Sequence, residues 1–443
     1  MILQYLGDLL WILLFFPLFL LCAIVLLPGF FRLLTKRKAA PAHGTESSGR
    51  RLNSLEAVST TLAATVGTGN IIGTGQAIAM GGPGAVFWMW VAALLGCCVK
   101  CAEIWFGQWE RRGAVGTIRS ALGKQVSSFY ASLAVLSTFF VGNMAQMNTV
   151  VSSLGLNQSS RPGARFVLSL LLLLFLAFAV YRGVSALGKL CSYVVPVMTA
   201  VYLATSALIL FENRGCVLYS LRLIFSSALE PGAMLGACGG MNVRNAILWG
   251  FRRGVFSNEA GLGTAGTIHS LVDTDQPDRH ALSGIWEVTV DTLLLCTVSA
   301  LTLLCSGALI PYGSLPGGEL WLRVFSRSSS FLALVPIFAL CLIFFAISTV
   351  LGCYVSGTLC AGSIGIGEDS FRRLFLFCAA FGCFLPADLI WLASDLINVL
   401  MAAPNLLSMI LLAPSFAAGC EQSKNNPEKT GIRSCSQTKK GVK

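Results

Sequence analysis

The sequence predicts an all-α polytopic membrane protein with eleven transmembrane helices. Ten of them form two five-helix sets of opposite sense, and one precedes them. Three observations predict this. The 443-residue chain is 55% hydrophobic and only 12% charged, with a mean hydropathy of +0.75, a composition suited to a bilayer rather than to water. Apolar runs of about 20 residues, enough to cross ~30 Å of hydrocarbon, recur with short polar connections. Two of these runs, one in each half, are interrupted at mid-depth by glycines and polar residues: EAVSTTLAATVGTGNIIGTGQAIAMGG at 56–82 and GVFSNEAGLGTAGTI at 254–268.

Span 1 is expected at 9–28, ending at Pro28-Gly29. Asp8 precedes it, the positive charge follows it, and its apolar run exceeds that of a signal peptide, so it reads as a retained helix. A basic loop with Arg32, Lys36, Arg37, Lys38, Arg50 and Arg51 leads to span 2, the interrupted helix at 55–80. Gly81-Gly82-Pro83-Gly84 closes it as a tight turn. Span 3, 85–107, carries Lys100 and Glu103, three apart on one helix face and able to pair. A loop with Arg111, Arg112, Arg119 and Lys124 precedes span 4, 127–153, which holds Asn143, Gln146 and Asn148. Spans 5 and 6 follow at 166–181 and 190–211, with a kink expected at Pro196.

Residues 212–231 connect the halves, and 217–228 read as an amphipathic helix. Span 7 starts near Ala233 and contains the second interruption. Span 8, 284–309, carries Glu287 and Asp291; spans 9, 10 and 11 are expected at 331–358, 374–387 and 389–413. The basic tail 420–443 reads as disordered. The domain reading is therefore 1–53 for the first helix and basic loop, 54–211 and 212–413 for the two five-helix sets, and 414–443 for the tail.

The net charge of +11 sits in loops on alternate sides of the spans. It therefore sets orientation in the cell membrane rather than indicating nucleic acid as a partner. The positive-inside rule puts the N-terminus outside and the tail in the cytoplasm. Because five is odd, the second set crosses in the opposite sense, giving an inverted repeat with spans 2 and 7 as corresponding members.

Irregular backbone survives in lipid only where it is buried in protein or lines a cavity. A helix broken at Gly67, Thr68, Gly69 and Asn70 exposes a half-helix N-terminus, which attracts a carboxylate, and a half-helix C-terminus, which attracts a cation. The alternative is close helix packing through small residues, to which Gly73 and Gly75 also belong. Recurrence of the pattern at Asn258 and Glu259 favours a binding site. Free amides around Thr68 and Gly69 suit a carboxylate, and the Thr65 and Thr68 hydroxyls add donors. Ser348 and Thr349 either bond back to their own helix or, beside free carbonyls, make an oxygen cage for a small hard cation. Gln146 either packs by hydrogen bonding or accepts from a substrate ammonium.

Asp291, Asp395 and Glu259 are ionisable at membrane depth, which makes them functional candidates. Glu259 follows Arg252 and Arg253 closely and reads as their structural ion-pair partner. Asp388, near a helix end, reads as solvated. The 16 cysteines are scattered; Cys97, Cys98 and Cys101 read as small buried residues rather than a metal or redox site. His43, His269 and His280 fall in polar loops or at segment ends and form no cluster, and no paired-acid motif is present, which argues against a membrane enzyme. Repeated filter loops or rings of like charge, the marks of a channel, are also missing.

Three long motifs carry a resemblance. VGTGNIIGTGQAIAMGGPGAVFWMWVAALLGCCVKCAE at 66–103, RGVFSNEAGLGTAGTIHS at 253–270 and LPADLIWLASDLINVLMAAPNLLSMILL at 385–412 resemble the sodium:alanine symporter family, over most of residues 50–413. The family implies the leucine-transporter fold with one extra N-terminal helix, and sodium-coupled uptake of alanine or glycine. It implies Na+ between the carbonyls of Ala63, Val66 and Phe345 and the hydroxyls of Ser348 and Thr349. It implies the substrate carboxylate at Thr68, Gly69 and Asn70, with Gln146 reaching the amino acid and Phe256 capping the pocket. In one departure, Cys353 stands where the family usually has Trp, and Thr358 where it has an acid. A smaller residue at Cys353 implies a roomier pocket and a broader range of small neutral amino acids. Proton coupling is the alternative to sodium, and the chain is expected to act as a monomer.

Overall fold

Glycine, proline and polar residues set where this chain leaves the helix; nearly everything between them is helical. The computed structural model describes residues 2–35, 54–110, 112–154, 156, 162–229, 243–272, 274, 276–327 and 334–425. Much of the expected basic loop, including Lys36 to Arg51, lies outside the described residues, as do His43, the start of span 7 near Ala233 and the tail beyond Asn425. Among the described residues there is no β-strand.

The first helix, α1, spans Tyr5–Thr35. The first interrupted helix is α2, Ser54–Thr65, and α3, Thr74–Gly81, joined by a wide π turn at Gly69–Gly73. Then come α4, Ala85–Glu110; the short α5, Gly113–Leu122; α6, Lys124–Ser153; α7, Pro162–Val180; and α8, Val184–Glu212. The connecting helix α9 is Arg214–Leu229. The order then recurs. The second interrupted helix is α10, Val243–Asn258, and α11, Thr264–His269. It is followed by α12, Pro277–Cys305; the short α13, Gly318–Ser326; α14, Leu334–Ser363; α15, Glu368–Gly382; and α16, Ala387–Asn425. Eight of the described helices are long and apolar enough to cross a membrane unaided.

The helices overrun the spans read from hydropathy at most ends, because hydropathy marks the thickness of hydrocarbon, not the end of hydrogen bonding. α1 continues past Pro28-Gly29, α8 is one continuous helix through Pro196, and α16 extends into the expected tail. In lipid, leaving the helix strands several polar groups, whereas an internal proline strands about one. The expected turn is present: Gly82 has φ 75°, and the Ala85 amide donates to the Gly82 carbonyl at 3.0 Å.

Small residues let the interrupted helices approach their neighbours closely. A side chain on Gly250 or Gly254 of α10 would meet the Met89 backbone of α4. Likewise, Gly107 of α4 lies against the Gly266 backbone of α11. Gly352 of α14 lies against the backbone of Thr60 and Ala64 in α2.

The buried charges pair differently from expectation. Arg252 reaches Asp8 at 2.9 Å and Asp395 at 2.8 Å, and Arg253 reaches Asp395 at 3.1 Å, tying α1, α10 and α16 together. Glu259 is not their partner: its Oε2 accepts from Thr264 Oγ1 at 2.6 Å, because a left-handed backbone at Glu259 (φ 54°) turns it away from the arginine face. Lys100 and Glu103 do not pair with each other; Lys100 pairs with Glu287 at 3.4 Å. His269 and His280 are buried side by side, ring nitrogens 2.8 Å apart, with His269 also bonded to Glu287. Asp388 is exposed, as expected.

Candidate substrate and cation site

The first break is made by diverting two backbone amides. In an unbroken helix the Gly67 amide would serve the Ala63 carbonyl; here it donates to Asn70 Oδ1 at 2.9 Å. The Asn70 amide would serve Val66; here it reaches the Gly67 carbonyl at 3.3 Å. The carbonyls of Ala63 and Val66 thereby lose their helical donors, and these are the two backbone oxygens the resemblance assigns to the cation.

Thr349 of α14 faces this break. Its Oγ1 is buried without a hydrogen-bond partner, and it stands where a side chain on residue 67 would begin, so only glycine fits there. An orphaned buried hydroxyl costs about 1–3 kcal/mol, which makes it an acceptor awaiting a ligand. Ser348 donates back to the Phe345 carbonyl at 2.9 Å, keeping lone pairs free to accept. The two alternatives read for this pair thus divide: Ser348 back-bonds and Thr349 does not. The donor set of carbonyls and hydroxyls, all hard oxygens, suits a small cation.

On the amino-acid side, Thr68 Oγ1 donates to Gln146 Oε1 of α6 at 2.5 Å, and Gln146 Nε2 donates to the Val141 carbonyl at 3.2 Å. The Phe256 ring lies on Gly69, within 3.3 Å of where a Cβ would stand, and packs on Trp391 with centroids 5.1 Å apart. Cys353 lies against Gly142 of α6. The Thr65 hydroxyl donates back to the Thr61 carbonyl at 3.1 Å.

Asn70 joins both interrupted helices to α12. Its Nδ2 donates to Asp291 Oδ1 at 2.6 Å, to the Asp291 carbonyl at 2.9 Å and to Ser257 Oγ at 3.0 Å. Ser257 and Thr292 donate to Asp291 Oδ2 at 2.6 and 2.9 Å. Asp291 is therefore the buried hub of the site. Ser257, Thr292 and Trp391 were missed in the sequence; the only signal was that Ser257 and Thr292 flank residues already singled out. Asp395 belongs to the arginine cluster instead. Wide π turns at Gly69–Gly73, Phe140–Met144 and Thr289–Cys296 fall beside Asn70, Gln146 and Asp291, each re-aiming the side chains that converge here.

A cavity of about 630 Å³ opens between α5, α6, α11 and α14, lined by Arg112, Arg119, Lys124, Ser127, Thr267 and Leu359 among others. None of the sequence-predicted site residues lines it. Among the described residues, no group of three or more His, Cys, Asp or Glu is arranged to hold a metal ion. None of the fourteen described cysteines is in a disulfide, and apart from Cys216 they are buried.

Two interrupted helices meeting at a buried polar core define a membrane transporter of the leucine-transporter fold. The solved structure of MhsT in complex with L-phenylalanine shares this fold: TM-score 0.60, 15% identity, covering 85% of this chain and 100% of that one. The sodium:alanine symporter family profile matches residues 2–434, and the chain belongs to that family. It is 35% identical to the sodium/alanine symporter AgcS of Methanococcus maripaludis, over 84% of each chain. It is 26% identical to the sodium/proton-dependent alanine carrier protein of Bacillus sp. strain PS3, over 90% of this chain and 96% of that one. The family's members are transporters rather than enzymes, and membership supports cation-coupled alanine transport through a multi-pass membrane protein.

Proposed function

We propose that this protein is a sodium-coupled symporter that brings alanine, L or D, and glycine into the cell by alternating access. One observation carries the reading: the unpartnered Thr349 Oγ1 faces a break whose two nearest carbonyls have lost their helical donors. Sodium at Ala63, Val66, Phe345, Ser348 and Thr349 orders the break, and the ordered amides of Thr68 and Gly69, with Asn70, receive the carboxylate. Gln146 and Phe256 meet the rest of the amino acid. Each ligand then raises the other's affinity by the same factor. The N-terminus lies outside and the tail inside, so the basic cavity beside α5 faces the cytoplasm and serves as the exit vestibule.

The test is uptake of labelled alanine into proteoliposomes with sodium and proton gradients imposed separately. Accumulation driven by sodium alone is expected. Accumulation driven by protons alone sinks the sodium reading in favour of proton coupling, toward which the name of the Bacillus carrier points. Thr349→Val removes only the orphaned oxygen. Stability stays the same or rises slightly, since no protein hydrogen bond is lost, while the sodium concentration for half-maximal uptake rises at least about tenfold.

A further inference from the structure

The two breaks are not equivalent, and the difference lies in one turn of α4. Lys100 Nζ donates to the carbonyl of Asn258, the last residue of α10, at 2.8 Å. Its counter-ion Glu287 is 3.4 Å away, and both side chains are 0% exposed. One turn on, Glu103 Oε1 accepts from the Gly263 amide at the start of α11 at 2.8 Å, and from Asn405 Nδ2 at 2.7 Å. Asn405 also donates to the Gly261 carbonyl at 3.0 Å, and Tyr130 donates to the Leu262 carbonyl at 2.7 Å. The open backbone of 259–263 is thus met by fixed side chains of α4, α6 and α16.

A half-helix ending inside a membrane presents carbonyls with partial negative charge, and these draw a cation. At the end of α10 that position is held by an ammonium of the same chain. The first break is met instead by neutral groups: its Gly67 backbone amide by the Asn70 side chain, and the Thr68 side chain by Gln146. Asp291 reaches the Asn70 side chain, not the backbone of the break. α4 also splints the second interrupted helix along its length, through Gly250 and Gly254 above the break and Gly107 against Gly266 below it.

Resting on the reading that the first break takes the transported cation and amino acid, we infer that Lys100 is a tethered cation at the second. With Glu103 as a second positioning residue, it keeps that break assembled and closed to transported ions. α4, α10 and α11 then form a prebuilt wall, and α2 with α3 is the part that sodium orders against it.

Hydrogen exchange read by mass spectrometry on the wild-type protein in lipid nanodiscs, with and without sodium and alanine, tests this. Peptides covering 66–70 slow by about tenfold or more on adding both ligands, and peptides covering 258–263 do not change. Comparable ligand-dependent slowing at 258–263 overturns the inference. No slowing at either break removes the sodium-and-alanine reading, and the inference with it. In Lys100→Met, equilibrium binding of radioactive sodium to the purified protein rises by one ion per molecule, because solution now fills the vacated cation position. An unchanged count in folded Lys100→Met protein also overturns the inference; should that variant fail to fold, the exchange experiment still decides.

Discussion

Asn70 commits both ends of its amide to holding the site together. Its oxygen takes the diverted Gly67 amide, and its nitrogen serves Ser257 and Asp291. Asn70→Ala strands a buried amide and removes donors from a buried carboxyl, at about 1–3 kcal/mol per unmet group. Uptake is expected to vanish while the protein still elutes as a monodisperse folded species with a lowered melting temperature; near-normal uptake would take Asn70 out of the site. Cys353 is a second residue-scale test. It lies against Gly142, where α6 and α14 meet closely, and no indole stands there to limit the pocket. Labelled alanine uptake is therefore expected to be competed by neutral amino acids larger than serine, and an absence of such competition would show that the neighbouring helices have taken up the missing volume. Residue identity singled out Asn70, Thr68 and Thr349 as candidates, since polar groups in hydrocarbon need a reason. It could not show that the Thr65 hydroxyl donates to the Thr61 carbonyl one turn back in its own helix.

Both breaks were legible because glycines and an asparagine interrupt an apolar run at each of them. What each break would touch was not. Lys100 and Glu103 share a helix face, which is all their spacing can say. That face turned out to span the second break, because Gly107 and Gly266 allow α4 and α11 to meet at backbone distance. Arg252, Arg253 and Asp395 met for the same kind of reason: their partners lie about 140 residues apart, beyond any local pattern. The close approach is itself testable. On Gly107 a Cβ would enter the Gly266 backbone, which cannot yield as a flexible side chain can. Overpacking costs about 1–3 kcal/mol, so Gly107→Ala lowers the melting temperature and the yield of folded protein. Gly163→Ala, with open space around it, is expected to leave both unchanged. Equal behaviour of the two variants would mean that α4 and α11 do not meet at backbone distance.

At the scale of the whole molecule, helix order and charge together predict a direction. The sequence of interrupted helix, long helix, short helix and three further helices occurs twice, with α9 between the two runs. The hydropathy pattern could give that order, but it left open which helix ends protrude and how the crossings divide. The basic residues Arg112, Arg119 and Lys124 collect at one mouth of the bundle, around the cavity beside α5. If that mouth is cytoplasmic, as the positive-inside rule requires, then α9, six crossings after an outside N-terminus, begins on the external face. Cys216 lies at the start of α9 and is the exposed one among the fourteen described cysteines. With Cys238 and Cys435 changed to Ser, a membrane-impermeant maleimide added to intact cells should label the protein once, at Cys216, while the buried thiols stay silent. Labelling only after the membrane is permeabilised would invert the assignment, placing the basic cavity outside and making it an entrance rather than an exit.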